Sequence, residues 1–339
     1  MKPFGGVLFL ATCLLFLQNC SWKSPSRGSP GSLLIVADPS DRAAISGALQ
    51  NSFGKTVQTP QDEPLFRTID ISIDKLDDYA RSPIILLVAA LDSDEPSARF
   101  VKKMLKGDVL TRALDEHVCI FQRRDPWATS QILLVLIGRN KAELASSAVE
   151  RLDQIVDTAT TFELDRLQNN LFKHGKRNAI HPIPKTEASF SLTLPDGCTL
   201  IHSSDTLDIV RFQQQNPPAW ITISWRKSRT GESIIADSLL AWRYSVSAIF
   251  DREMVCYSDT VGLNYVRFAN QPATSIRGLW QSADYGDGGP FRTYAFSDSS
   301  IKMDFLIDYA LFAPGKEKVP YIWQLDAVVQ TFTLQLQKD

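Results

Sequence analysis

The sequence predicts a mixed α/β half followed by an antiparallel sheet packed with helices. Three observations carry this. Apolar runs at residues 84–91 and 131–137 alternate with helical stripes up to about residue 173, the order of buried strands and their covering helices. Beyond residue 185 the candidate strands are short and are separated by Pro, Gly and Asp turns. Over residues 303–311 every second residue is large and apolar (Met303, Phe305, Ile307, Tyr309, Leu311), with Asp304 and Asp308 between. That period of two predicts a strand with one wet and one buried face.

The chain opens with Lys2 and an apolar stretch at residues 7–17, the charge and length of a secretory signal rather than a membrane span. Leu17-Gln18-Asn19-Cys20 closes it, and residues 21–32 read as a polar tether rich in Ser, Pro and Gly. A cysteine at this place resembles the acylation site of a bacterial lipoprotein signal. Leu17 fits that motif, while Gln18 and Asn19 are larger than its usual residues. The alternative is an ordinary secretion signal with an incidental cysteine. Both export the protein.

Residues 33–37 predict a buried strand leading into a helix, with Asp38 as cap, Pro39 at its first position and Asp41 in its first turn. Ile45, Ala48, Leu49 and Phe53 share one face, and Gly54 ends it. Strands follow at 66–73, 84–91, 118–123 and 131–137, with helices at 74–80 and 96–106. A long helix at 141–173, roughly 50 Å by the helical rise, carries the stripe Leu144, Ala148, Leu152, Ile155, Ala159 and Phe162. Residues 174–185, polar with one Gly and two Pro, mark the boundary.

Past it, strands are expected at 190–194, 199–203, 209–212 and 220–226, with turns at 195–197 and 216–218. Asp237 caps a helix whose Leu239, Trp242, Val246 and Ile249 face one way. After a strand at 265–269, a meander takes in 273–282, 290–296 and 303–311. A last helix begins at Pro320 with Ile322, Leu325, Val329 and Phe332 inward. Helices on one face of an antiparallel sheet are the simplest packing for this order. The expected division is a signal at 1–19, a tether at 20–32, an α/β domain at 33–174 and an α+β domain at 186–339.

The 339 residues are 44% hydrophobic and 22% charged, the balance of a globular protein. Net charge is −2 without any run of like charge, which argues against a nucleic-acid partner. Cysteines 13, 20, 119, 198 and 256 show no CxxC spacing, and Cys198 and Cys256 fall in the same exported domain, where they can pair or stay free. Gly54-Lys55-Thr56 lacks the first glycine of a phosphate loop and ends a helix instead of starting one. The four histidines stand far apart, no Gly-x-Ser-x-Gly occurs, and Asp284 and Asp287 read as a hairpin loop without the acids of a calcium loop. Neither metal nor cofactor is indicated.

Arg277-Gly278-Leu279-Trp280, Gly288-Gly289-Pro290-Phe291 and the stretch at 308–316 resemble the lipoproteins of the Bacteroidota grouped as domain-of-unknown-function family 4837. The likeness runs from about residue 33 to the C-terminus, taking in Asp125-Pro126-Trp127. It implies an envelope location and a two-part α/β chain, and brings no activity. The second half is also similar, loosely, to the PsbP-type α/β sandwich, a binding or assembly module where its role is known.

Alternation sets Arg277 opposite in sense to Trp280, and Phe291 opposite to Arg292 and Tyr294. A sheet face that collects Arg, Trp and Tyr side chains makes Arg277, Trp280, Arg292 and Tyr294 the candidate partner-binding residues. They suit a peptide, a glycan or a lipid headgroup. The competing reading puts the aromatic rings in the core and leaves the arginines to solvate a far face. Two functions are in play: a non-catalytic envelope lipoprotein that binds a partner or helps assembly, and a hydrolase or transferase acting on an envelope polymer at the domain junction. With no acidic cluster after Cys20, the expected place is the periplasmic face of the outer membrane, held by a lipid anchor.

Overall fold

The computed structural model describes residues 23–336, apart from 106, 116–118, 174, 229–233, 235, 251–253, 257–261 and 283–285. Cys20 and the apolar stretch before it lie outside the described residues. The first half comprises β1 (Ser32–Val36), α1 (Pro39–Ala44), α2 (Ser46–Phe53), β2 (Thr56–Val57), β3 (Glu63–Pro64), β4 (Arg67–Ile71), α3 (Leu76–Tyr79), β5 (Ile84–Ala90), α4 (Pro96–Met104), α5 (Asp108–Asp115), β6 (Ile120–Arg124), β7 (Ile132–Gly138) and α6 (Lys141–Leu171). Its sheet runs β4-β1-β5-β7-β6, parallel except for β6.

The apolar runs of β1, β5 and β7 are buried along both faces, as strands of a covered parallel sheet must be. One face meets α3 and α4 through Leu34, Ile85, Leu87 and Val101. The other meets α2 and the α6 stripe, all six residues of which are buried as expected. Asn140 caps α6, its side chain accepting from Glu143 N at 2.9 Å. The single helix expected after β1 is broken at Ile45, where low-propensity Ser46 and Gly47 follow. Asp41 is fully buried rather than a solvated first-turn acid. Residues 23–31, read as a free tether, lie along the first sheet's rim: Ser26 N donates to Thr129 O (2.9 Å) and Arg27 N to Arg81 O (2.7 Å). Gly31, at φ +75°, donates to Glu163 Oε1 at 3.0 Å and leaves no room for a Cβ beside Trp323.

The second half adds β8 (Lys176–Pro182), β9 (Ala188–Pro195), β10 (Cys198–Ser204), β11 (Ile209–Gln215), β12 (Pro218–Lys227), α7 (Ala236–Phe250), β13 (Met254–Cys256), β14 (Gly262–Phe268), β15 (Gln271–Ser282), β16 (Gly288–Asp298), β17 (Met303–Leu311), α8 (Val319–Val329) and β18 (Thr333–Leu336). Eight strands form one sheet along the path β10-β11-β12-β17-β16-β15-β13, with β14 also on β15. The expected meander is present as β15, β16 and β17. Gly289 is required there: a Cβ would stand 2.0 Å from Leu311 O. Cys198 and Cys256 sit on strands at opposite edges of this sheet, and Cys198 is a free, buried thiol.

Two expectations are corrected. Residues 174–185 are not wholly irregular, for 176–182 form β8, an exposed edge strand on β9 whose Pro182 and charged residues suit an edge. Nor do helices cover one face only: α7 packs on one side of the eight-stranded sheet and α8 on the other. Strand β17 is therefore buried on both faces, and Asp308 is neutralised within the layer by Arg243 of α7 at 2.8 Å.

Apolar packing continues from the first sheet through α6 and α8 into the second. Glu63 of β3 accepts from Lys318 N and Val319 N at 2.8–2.9 Å, so the first half supplies the cap of α8. Trp323 donates its indole N–H to Leu65 O at 3.1 Å. Among the described residues no helix is long and apolar enough to cross a membrane.

Candidate functional site

Register decides which candidates meet. Arg277 on β15 is paired with Arg292 on β16, which is paired with Tyr309 on β17; Tyr294 lies two residues along. These four side chains share the face that α8 covers. Trp280 has the opposite sense and is buried on the α7 side among Ile276, Phe291 and Leu306. The structure thus brings three of the four sequence candidates together and sets Trp280 apart as core.

Asp326 of α8 holds the cluster. Its Oδ1 accepts from Tyr294 Oη and Tyr309 Oη, each at 3.0 Å, and its Oδ2 accepts from Arg292 Nη1 at 2.9 Å. Arg292 also donates to Ser275 Oγ at 3.3 Å and lies over the Tyr294 ring. Burial pushes both phenols up, with the Asp326 charge adding to it. For Arg292, burial acts downward but Asp326, with the two phenols, carries it upward. Sequence reasoning missed Asp326 and Tyr309. The signal for Asp326 was present: it is the one charged residue in α8, and it falls on the stripe of Ile322, Leu325 and Val329.

Arg277 is different. Half-buried, it has neither an ion pair nor a hydrogen bond among the described residues. Burial, and next the neighbouring Arg292, push its guanidinium down from the ordinary value, against the pull of Tyr309 and Asp326. It borders a cavity of about 240 Å³ between the halves, walled by Gln58 and Leu65 of the first half, Leu164 of α6, and Ile322 and Gln330 at α8. A larger hollow of about 520 Å³ beside Tyr265 and Thr274 gathers one basic side chain, Arg267, and no acid. The junction cavity is where charges converge.

Other candidates stay apart from it. Cys119 is half-buried just before β6, and burial pushes the Cys198 thiol up to about 11, which disfavours the thiolate. His181 packs against Phe190 and Trp225 and is lowered mainly by burial; Asp205, 3.5 Å away, opposes this. His117, His174 and Asp284 lie outside the described residues.

Residues 222–331 match a domain of unknown function, DUF4837, and residues 26–172 match a second domain of unknown function, DUF8532. The two matches lie one after the other, each over less than half of the chain. The resemblance to family 4837 holds for the second half, with the Arg-Gly-Leu-Trp and Gly-Gly-Pro-Phe stretches inside it. The first half, Asp125-Pro126-Trp127 included, lies outside that match and within the other, which corrects the longer extent read from the sequence.

No curated protein matches the chain. Among solved structures, LpqN, involved in cell envelope biogenesis of Mycobacterium tuberculosis, is 12% identical over 49% of this chain and 95% of its own, with a TM-score of 0.32. The Ran-binding protein Mog1p of Saccharomyces cerevisiae is 9% identical over 47% of this chain and 95% of its own, also at 0.32. A protein from Bacteroides thetaiotaomicron is 12% identical over 44% of this chain, with a TM-score of 0.28; the alignment spans 46% of that protein's length.

Proposed function

We propose that the chain is an exported envelope lipoprotein, anchored through Cys20 at the periplasmic face of the outer membrane. Its body is a non-catalytic binding or assembly module that takes an anionic group of an envelope protein, glycan or lipid into the junction cavity. One observation carries this: two guanidiniums, Arg277 and Arg292, share a wall with a single carboxylate, and Asp326 is already engaged by Arg292 and two phenols. The remaining positive charge of Arg277 is complemented by an incoming anion. The same engagement of Asp326 weighs against the hydrolase or transferase alternative, since a carboxylate held by three donors is poorly placed to take a proton from substrate. The docking of residues 23–27 near Arg81 and Thr129 would then turn the amino ends of β5 and β7 toward the bilayer.

Two outcomes are expected. Fatty-acid labelling marks the wild type and not Cys20→Ala; equal labelling of both would remove the anchor. Arg277→Ala changes stability by no more than about 0.5 kcal/mol, because it discards a cation that has neither an ion pair nor a hydrogen bond among the described residues and repels Arg292. In pull-downs from solubilised envelope it loses a partner that the wild type retains, and Arg277→Lys recovers it only in part. A folded Arg277→Ala that keeps every wild-type partner sinks the recognition role.

A further inference from the structure

A second polar cluster lies at the far end of the first sheet, and no sequence motif announces it. Asp38 and Asp41 follow the carboxyl end of β1, and Glu95 follows the carboxyl end of β5 and precedes α4. Oxygen atoms from the three carboxylates all lie within 4.8 Å of one another. Asp38 and Asp41 are buried and Glu95 is half-buried. Partners account for part of the charge. Asp38 Oδ2 accepts from Ser97 N at 2.9 Å, Asp41 Oδ2 accepts from Ala90 N at 2.9 Å, and Ser40 Oγ donates to Glu95 at 2.8 Å. None of the three makes a salt bridge among the described residues.

Two further observations point to a ligand. Asp41 Oδ1 and Ser97 Oγ, on side chains with 0% exposure, have no hydrogen-bond partner among the described residues. Buried oxygens are rarely left so, and each has the cluster beside it: Asp41 belongs to it, and the Ser97 amide already binds Asp38. The place is independent evidence. From β1 the chain crosses to β4 on one side and later returns to β5 on the other. The crevice outside the carboxyl ends of β1 and β5 is thus the switch point of the sheet, where open α/β sheets take ligands.

We propose that Asp38, Asp41 and Glu95 bind one hard divalent cation, Mg²⁺ or Ca²⁺, with Ser97 Oγ at its edge. Three carboxylates, with hydroxyls at hand and neither thiol nor imidazole among them, are the donor set of such ions. A cation would offset the repulsion among three acids that form no ion pair among the described residues, with only Lys141 acting on Asp41 from nearby, and would use the lone pairs of Asp41 Oδ1. The bland account is that Asp41 is simply protonated: burial, more than its acidic neighbours, pushes its carboxyl up.

The two accounts part on Asp41→Asn, whose amide oxygen still accepts from Ala90. The full chain, freed of metal by a chelator, is titrated with Mn²⁺ under electron paramagnetic resonance and melted in Mg²⁺ or Ca²⁺. The expected result is one tightly held Mn²⁺ per chain and a Tm raised by roughly 3–6 °C at saturation. Asp41→Asn should bind Mn²⁺ roughly tenfold or more weakly and lose most of the shift in Tm. Glu95→Gln, at the less buried position, carries the test should Asp41→Asn fail to fold. Wild type with neither bound Mn²⁺ nor a change in Tm, or variants that bind as wild type does, overturns the site and leaves a protonated Asp41.

Discussion

Asp326→Ala is expected to destabilise the protein by about 3–5 kcal/mol, the cost of breaking a buried ion pair from one side. The truncation leaves the phenols of Tyr294 and Tyr309 without an acceptor and Arg292 without its counter-charge. Chemical denaturation measures it. Arg292→Met with Asp326→Leu removes both partners together, and should cost markedly less than Asp326→Ala alone. If Asp326→Ala unfolds at the wild-type midpoint, the cluster does not hold α8 to the sheet. The junction cavity would then lack the rigid wall that recognition needs.

Trp280→Ala is expected to cost about 3–5 kcal/mol, as large aromatic truncations in cores do. The ring is 4% exposed, stands edge-on to Trp220 at 6.0 Å between centroids, and donates its N–H to Leu311 O at 3.2 Å. Trp280→Phe keeps most of the apolar contact and gives up the hydrogen bond, so about 1 kcal/mol is expected. Denaturant midpoints of the two variants decide the point. A stable Trp280→Ala would mean that α7 does not cover this face, and would return Trp280 to the recognition surface.

The contrast between Trp280 and Arg277 shows what strand period can and cannot give. Alternation alone separates Arg277 from Trp280, and that separation stands in the structure. It does not say which face meets helix and which meets water. Both faces of β17 meet helices, α7 and α8, so Asp304 and Asp308, which look solvated in the sequence, are buried. The register of β15 against β16, which places Arg277 beside Arg292, depends on the length of the turn between them as well as on the pattern.

By itself, the sequence determined the fold class and nearly every long element. The apolar runs of β1, β5 and β7 admit burial on both faces, the α6 stripe admits one buried side, and the meander carries its own period and glycines. It also contained Asp326 as the lone charge on an apolar stripe. Only the tertiary structure decided what that charge meets, since Arg292 is 34 residues away and on a different element. The same holds for Asp38, Asp41 and Glu95, brought together because β1 and β5 are adjacent and parallel. Local pattern fixes which residues share a face, because period is a property of the backbone. Which faces close on one another is fixed by packing between distant segments, and both clusters of charge arise there.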